Sequence, residues 1–233
     1  MKKSVLLLSA LLLVTLLNAQ SLEEIVKKYT VANKLDKLSA ISTVKITGKM
    51  LMMGIEWPME LWMKNPDKLL QVLSYNGQDI VTAIDGTKGY AINPMAASPI
   101  PTEIPISEVE NLKKSLVFYN YLEAYLKKGK LTLDGNGNVG DKPAFKLKIL
   151  MDGGTTVLAY IDKSSFLMVK ATINSSSDGV DVVAEVIYSD FKDNNGVFLP
   201  MKQITTTARG GFEMIYDKVE VNIPMEDKLF RLK

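Results

Sequence analysis

Neither cysteine nor histidine occurs anywhere in the 233 residues, and arginine occurs only at positions 209 and 231. Each gap removes chemistry. Without histidine there is no Ser-His or Cys-His nucleophile pair and no imidazole metal ligand. Without cysteine there is no disulfide, thiolate zinc site or iron–sulfur cluster. Two guanidiniums serve bidentate anion recognition poorly. An excess of one charge is missing too, since 28 Lys and Arg balance 26 Asp and Glu. Nucleic-acid binding draws on a clustered basic excess, so no nucleic-acid partner is expected. What remains for enzymology is carboxylate, lysine, hydroxyl and phenol chemistry. The 47% hydrophobic share is ample for a packed core at this length without disulfides.

Long apolar runs are confined to the N-terminus. Lys2 and Lys3 precede a run from Val5 to Leu17, and Asn18-Ala19-Gln20 leads into polar sequence. A basic start, a short apolar stretch and a small residue at the cut describe a secretory signal; a spanning helix needs roughly 20 residues. Residues 1–19 therefore read as a cleaved signal peptide and residues 20–233 as one mature, secreted domain. No cysteine is available for acylation. Cleavage removes two lysines and no acid, leaving a formally neutral chain.

Ser21 with Glu24 forms a capping box, and Leu22, Ile25, Val26, Tyr29, Ala32 and Leu35 follow at helical spacing, predicting an amphipathic helix over 22–38. The period then changes to two. Val44, Ile46, Gly48, Met50 and Met52 alternate with polar residues, as do Ile55, Trp57, Met59, Leu61 and Met63 beyond the Gly54 turn, which predicts a hairpin with one apolar face. Pro58 suggests an edge or a bulge. Asn76-Gly77 joins strands at 67–75 and 78–85, and a short strand follows around Tyr90 and Ile92. Four of the nine prolines crowd residues 94–105, predicting an extended loop without regular structure. Ser107 with Glu110 looks like a second capping box, opening one helix or two short ones through Tyr125. From Lys130 onward strands resume, separated by Asp152-Gly153-Gly154, Ser177-Asp178-Gly179, Asn194-Asn195-Gly196 and Gly210-Gly211. About eleven or twelve strands with two helical regions predict an α+β fold built on a large curved antiparallel sheet.

Several patterns imitate chemistry. Gly135-Asn136-Gly137-Asn138-Val139-Gly140 fits the dinucleotide glycine pattern, but Pro143 and an alternating strand follow where a helix should start. The same stretch fails as a calcium loop, because Val139 and Phe145 stand where Gly and Glu are needed. Ser42 and Lys45 have serine–lysine spacing, yet Ser42 opens a strand. Glu56 and Glu60 share a strand face about 13 Å apart at strand rise, too far for a glycosidase pair. A carboxylate-pair hydrolase formed across strands is the enzymatic alternative. The leading expectation is a protein that is not an enzyme and needs no cofactor or metal.

The methionines carry more information. Met50, Met52, Met53, Met59 and Met63 crowd one hairpin around Trp57, and flexible thioethers suit surfaces that fit varied apolar partners. A curved sheet with a helical cover and a proline-rich flap suits a greasy ligand. The candidate lining is Met50, Met52, Trp57, Met59, Leu61 and Met63, with Tyr90 and Ile92 of the next strands and a covering helix carrying Val109, Leu112 and Leu116. Lys49, Glu56 and Glu60 fall on the opposite face.

The mature chain resembles the LolA-like outer-membrane lipoprotein-sorting proteins, in the form common in Bacteroidetes. The resemblance rests on the opening helix through Ile41, on Val44-Lys45-Ile46-Thr47-Gly48-Lys49-Met50 and the methionine hairpin, and on Tyr160-Ile161-Asp162. It continues through Tyr188-Ser189-Asp190-Phe191, Gly196-Val197-Phe198-Leu199-Pro200 and the ending Val221-Asn222-Ile223-Pro224 with Leu229-Phe230. It implies an incomplete antiparallel β-barrel plugged by helices. It also implies a monomeric periplasmic carrier of lipoprotein acyl chains or other lipids, with an inner-membrane donor complex and an outer-membrane receptor as partners. Relatives with this fold also act as non-transporting lipid sensors or protein-binding modules of the envelope. Carriers of the family have an Arg on an early strand that governs release; Lys45 and Lys49 occupy that region here. Mass spectrometry of the periplasmic fraction should find a mature chain starting near Gln20, whereas an intact chain held in the inner membrane would refute the cleavage.

Overall fold

The computed structural model describes residues 20–96, 100–177 and 180–231. The expected signal peptide, Pro99 of the proline-rich segment and positions 178–179 of the Ser177-Asp178-Gly179 turn lie outside the described residues.

One antiparallel sheet of thirteen strands runs through the molecule in the order β6-β5-β4-β3-β2-β1-β13-β12-β11-β10-β9-β8-β7, and it does not close. Its strands are β1 (Thr43–Met52), β2 (Ile55–Lys64), β3 (Lys68–Tyr75), β4 (Gln78–Asp85), β5 (Lys88–Ile92), β6 (Thr102–Glu103), β7 (Leu131–Val139), β8 (Lys142–Leu150), β9 (Thr156–Asp162), β10 (Met168–Ser177), β11 (Val180–Asn194), β12 (Val197–Thr207) and β13 (Gly210–Val221). The count exceeds the eleven or twelve expected. One addition is β6, where Thr102 and Glu103 of the proline-rich segment pair with Ala91 and Tyr90, so that segment is not wholly irregular. The sheet is two meanders, β1–β6 and β7–β13, joined where β1 pairs with β13 from Val44↔Val221 to Met52↔Phe212.

The chain turns behave as their residues dictate. Met53-Gly54 and Asn76-Gly77 both have positive φ, as two-residue hairpins matched to strand twist require. Gly48 is needed for a different reason. Register slips by one residue between Thr47 and Gly48 opposite β13, and a Cβ there would lie 2.1 Å from the Ile215 carbonyl oxygen. Pro58 sits in an interior strand rather than at an edge. The β2–β3 ladder stops beside it at Met59↔Leu73 while the β1–β2 ladder continues to Met52↔Ile55, so the missing amide hydrogen falls where one ladder ends.

The predicted helix over 22–38 is two pieces, helix α1 (Leu22–Ala32) and a 3-10 helix (Leu35–Ala40). Ser21 Oγ accepts the Glu24 amide at 3.1 Å, as its capping role predicts. The break comes at Asn33, whose side-chain amide donates to the Tyr29 carbonyl at 2.8 Å, and at left-handed Lys34, which reaches Asp193 at 2.5 Å. The second helical region is α2 (Ile106–Lys113) and α3 (Tyr121–Lys127). The Ser107 capping box does not form. Pro105 starts α2 instead, its carbonyl accepting from the Glu108 and Val109 amides, so Ser107 lies within the helix. Asn120 caps α3, accepting the Glu123 amide at 3.3 Å and donating to Thr30 Oγ1 of α1 at 3.0 Å.

Burial divides the inner, helix-bearing face into two cores. Ile25 and Val26 of α1 and Leu122 and Tyr125 of α3 pack on Leu147, Ile149, Val157, Ala159 and Ile161 of the second meander. Leu38 and Ile41 around the 3-10 helix, with Val109 and Leu116, pack on Val44, Ile46, Met63, Leu69 and Ile84 of the first. On the outer face a C-terminal 3-10 helix (Asp227–Phe230) inserts Phe230 against Leu70 and Ala83. Lys64 holds Asp227 at 2.6 Å and Arg231 holds Asp85 at 2.5 Å.

Asp162, at the end of β9, is only 4% exposed. Desolvation pushes its pKa up, but Oδ1 accepts from the amides and hydroxyls of both Ser164 and Ser165 at 2.7–3.0 Å, and these bonds hold it down at about 2. A depressed folded pKa means stability that is present above the unfolded value near 4 and lost as pH falls toward the folded one. Urea titrations should show Asp162→Ala losing about 2 kcal/mol at neutral pH, with the gap from wild type closing between about pH 4 and pH 2. A pH-independent gap would show that the charge is not what matters.

Candidate functional site

Strand pairing decides which side chains share the inner face. Met50 opposes Trp57 on one side and Met214 on the other. Met214 opposes Gln203, and Gln203 opposes Tyr188. Trp57 in turn stacks on Tyr75, ring centroids 4.2 Å apart. One row therefore crosses six strands as Tyr75, Trp57, Met50, Met214, Gln203 and Tyr188. Beside it Leu73, Met59, Gly48 and Tyr216 form a second row, and Ile55, Met52, Phe212 and Thr205 a third. These rows lie between the two packed cores and form an apolar trough.

The floor and walls differ in burial. Met59 is 3% and Trp57 8% exposed, whereas Met50, Met52, Gln203, Met214, Tyr188 and Tyr216 are half-buried. The trough is a packed surface of flexible side chains in this conformation. Clefts of about 360 and 470 Å³ lie elsewhere, by the β2–β3 turn with Lys113, Leu116 and Tyr119 and outside α1 with Val31 and Phe166, while one of about 450 Å³ at the bulged parts of β11 and β13, with Asp190 and Met201, touches the trough only through Tyr216.

Polar groups in and around the trough are neutral. Gln203 Nε2 donates to the Tyr216 hydroxyl at 3.1 Å. Burial pushes the Tyr188 phenol up to about 12 and raises Tyr216, Tyr29 and Tyr121 as well. Tyr29 of α1 and Tyr121 of α3 pack with Tyr188 against the second-meander core. Trp57 Nε1 and the Tyr125 hydroxyl are buried without a hydrogen-bond partner among the described residues. An unpartnered buried donor costs about 1–3 kcal/mol. Charges go to the outer face. Lys45 pairs with Glu60 at 3.0 Å and lies 4.0 Å over the Trp62 ring, and Lys49 pairs with Glu56 at 2.8 Å. Neither lysine of the early strand reaches the trough, and the Glu56 and Glu60 carboxylates are taken up in these pairs. Ser42 donates to Asn222 Oδ1 at 3.0 Å, away from Lys45. Gly135 to Val139 lie in β7 and Gly140 turns into β8, so no helix N-terminus follows that glycine run. Among the described residues no group of three or more carboxylates stands ready for a metal.

The sequence-derived lining is thus brought together only in part. Met50, Met52, Trp57 and Met59 share the trough. Leu61 and Met63 share its face but belong to the packed core with Val109, Leu112 and Leu116. Leu116 is not on the covering helix; it lies in the turns after α2 ends at Lys113. Tyr90 and Ile92 are on the wrong side. Tyr90 opposes Ala83 and Ile92 opposes Val81, both of which pack with Phe230 on the outer face. The inward residue of β5 is Gly89, where a Cβ would meet Val109 at 2.7 Å. Sequence reasoning missed Tyr75, Gln203, Phe212, Met214, Tyr188 and Tyr216. The alternation of Phe212, Met214 and Tyr216 with Glu213 and Asp217 was a usable signal; the partner of that strand was not.

Neither a family model nor a curated protein sequence matches the chain. Solved structures do. A putative outer membrane lipoprotein-sorting protein domain from Vibrio parahaemolyticus superposes with a TM-score of 0.62 at 13% identity, covering 89% of this chain and 94% of that one. A LolA superfamily protein from Nitrosomonas europaea gives 0.59 at 16% identity, covering 92% and 99%. A DUF1329 family protein from Desulfovibrio piger gives 0.61 at 12% identity, covering 88% and 96%. The fold is LolA-like.

Because Met59 is at the floor and Met50 on the wall, a carboxylate should behave differently at each. Met59→Glu should lose about 3 kcal/mol or more in urea unfolding, since it buries an unpaired charge, and Met50→Glu about 1 kcal/mol or less. Equal losses would contradict a half-buried wall.

Proposed function

We propose that the protein is a periplasmic binding protein for lipids or lipoprotein acyl chains, that it holds them in the trough between its two cores, and that it is a carrier rather than an enzyme. The observation that carries this reading is the continuous row of half-buried thioethers and aromatics between the cores, on a fold shared with a lipoprotein-sorting domain. Each methylene moved from water to such a surface gains about 0.8 kcal/mol, so one acyl chain gains roughly 10 kcal/mol. Thioether side chains rearrange at small energetic loss, so the packed trough can widen around a chain. Delivery toward the outer membrane, from an inner-membrane donor to a receptor, is part of the same proposal.

One observation favours the alternative of a non-transporting lipid sensor or protein-binding module. Lys45 and Lys49, in the region where carriers of the resembled family place a release-governing Arg, are engaged on the outer face.

Titration of the mature chain with a fluorescent fatty acid tests the reading. Wild type should bind, and Met50→Glu or Met214→Glu should stay folded by circular dichroism yet bind at least about tenfold more weakly. No binding by wild type would reject the proposal. Unchanged binding by both folded variants would move the site elsewhere.

A further inference from the structure

The trough is not uniformly greasy. Its first row carries an indole N–H at the β2 end and a phenol at the β11 end, with the amide of Gln203 next to that phenol. We propose that this row is a hydrogen-bonding band that recognises the ester or amide carbonyls of acylated ligands and so selects them over bare hydrocarbon of the same length. This rests on the lipid-binding reading above and specifies its ligand.

Three observations converge. First, the Trp57 N–H is buried beyond the reach of water and finds no acceptor in the described residues. Its ring is held by the stack on Tyr75, so the donor cannot simply swing out to solvent. A buried donor without a partner is rare in native proteins, and it asks for an acceptor from outside the chain. Second, the phenols around the other end are left to donate. Tyr216 accepts from Gln203 and keeps its own proton. The hydroxyls of Tyr188, Tyr29 and Tyr121 have no hydrogen bond among the described residues, and burial of these half-buried side chains keeps them protonated. Third, the row contains no Lys, Arg, Asp or Glu; the charges of these strands pair on the outer face.

The chemistry of the partner follows from this balance. The Trp57 N–H donates and cannot accept, and nothing in the row answers it, so the group that completes the row is a neutral acceptor. A phosphate or carboxylate would need a cation to offset its desolvation, and the row supplies none. An alcohol could accept from this N–H but would bring a proton of its own to be satisfied in the same apolar row. An ester or amide carbonyl accepts without donating from that oxygen and carries no charge. The two donor ends stand four strand spacings apart, about 19 Å along the sheet. One carbonyl therefore meets one end of the row at a time, and the other end stays open to a second ligand carbonyl held elsewhere along the row.

Competition against the fluorescent fatty acid separates this inference from the reading it rests on. The competitors are methyl palmitate and heptadecane, each delivered from cyclodextrin to the mature chain. Wild type should bind methyl palmitate about tenfold more tightly than heptadecane, the discrimination of about one hydrogen bond. Trp57→Phe and Tyr188→Phe keep a ring and remove a donor. The double variant should lose the preference for esters, binding methyl palmitate no more tightly than heptadecane. Trp57→Phe removes an unpartnered donor but also leaves a small cavity, so its urea midpoint should stay close to that of wild type. Equal binding of ester and alkane by wild type, or full discrimination in the double variant, would overturn the band. Failure of the fluorescent fatty acid itself to bind would overturn the lipid-binding reading.

Discussion

The pairing of β1 with β13 is the contact on which the rest of the structure depends. Every other ladder in the sheet joins strands that are neighbours in sequence. Only this one spans the chain, closing a loop from Val44 to Val221. The chain secures it at one end with a clasp. Asn222, with positive φ, donates its amide to the Thr43 carbonyl at 2.8 Å, accepts the Ser42 amide through its side chain at 2.8 Å, and lets Thr43 Oγ1 reach the Ile223 carbonyl at 2.7 Å. Further along, Gly48 absorbs the register slip that a side chain would block. Without this joint there are two separate meanders, each with half a core and no shared inner face. A nonlocal ladder of this kind is also the slow part of folding, because loop-closure entropy is lost before its contacts form.

Two helical straps reinforce the joint, and each has one limb on each meander. The first runs from α1 on the second-meander core to the 3-10 helix on the first, bending at Asn33 and Lys34. The other runs from α2 on the first-meander core to α3 on the second, bending through residues 114–120. Each strap's apolar side chains follow this division, Ile25 and Val26 against Leu38 and Ile41 in one, Val109 and Leu116 against Leu122 and Tyr125 in the other. The Asn120–Thr30 hydrogen bond ties the straps together. The trough lies between the two anchorages. Its breadth is a consequence of the strap design, since the cores are packed where the limbs land and looser where the straps bend.

Local physics was readable in the sequence, and long-range pairing was not. The Ser21 cap, the Met53-Gly54 and Asn76-Gly77 hairpins and the apolar face of β1 and β2 follow from residue type and period, and the structure has them. The split of the first helix was hidden because Leu35 keeps helical spacing across the break; the left-handed turn at Lys34 is fixed by tertiary contacts that spacing does not encode. Tyr90 and Ile92 went to the wrong face because β5 is apolar on both sides. Parity there is set by Gly89 meeting Val109 on the inside and by Phe230 arriving on the outside from the far end of the chain. Half of the trough, from Phe212 to Tyr216 and on to Gln203 and Tyr188, was invisible for the same reason: nothing in β1 says that its other neighbour is β13.

The separation of charge between the two faces constrains how any bound chain could leave. On the outer face lysines meet carboxylates across neighbouring strands, as in Lys45 with Glu60, Lys146 with Asp134 at 2.9 Å and Lys170 with Glu185 at 2.6 Å. Such pairs are exposed enough to contribute little each, but together they hold the early-strand lysines away from the trough. Inside, the first row offers only thioethers, rings and neutral hydrogen-bonding groups. An ionic release switch needs a charge that senses the ligand, and these residues do not supply one. On the binding reading, release therefore has to be mechanical. The straps must lift or slide at Asn33–Lys34 and 114–120, against polar ties that include Lys34 with Asp193 on one strap, Lys114 with Asp152 at 3.8 Å on the other, and the Asn120–Thr30 bond between the two. These bonds lie at the bends, outside the cores, so they can break without exposing the packed apolar surface that keeps the sheet together.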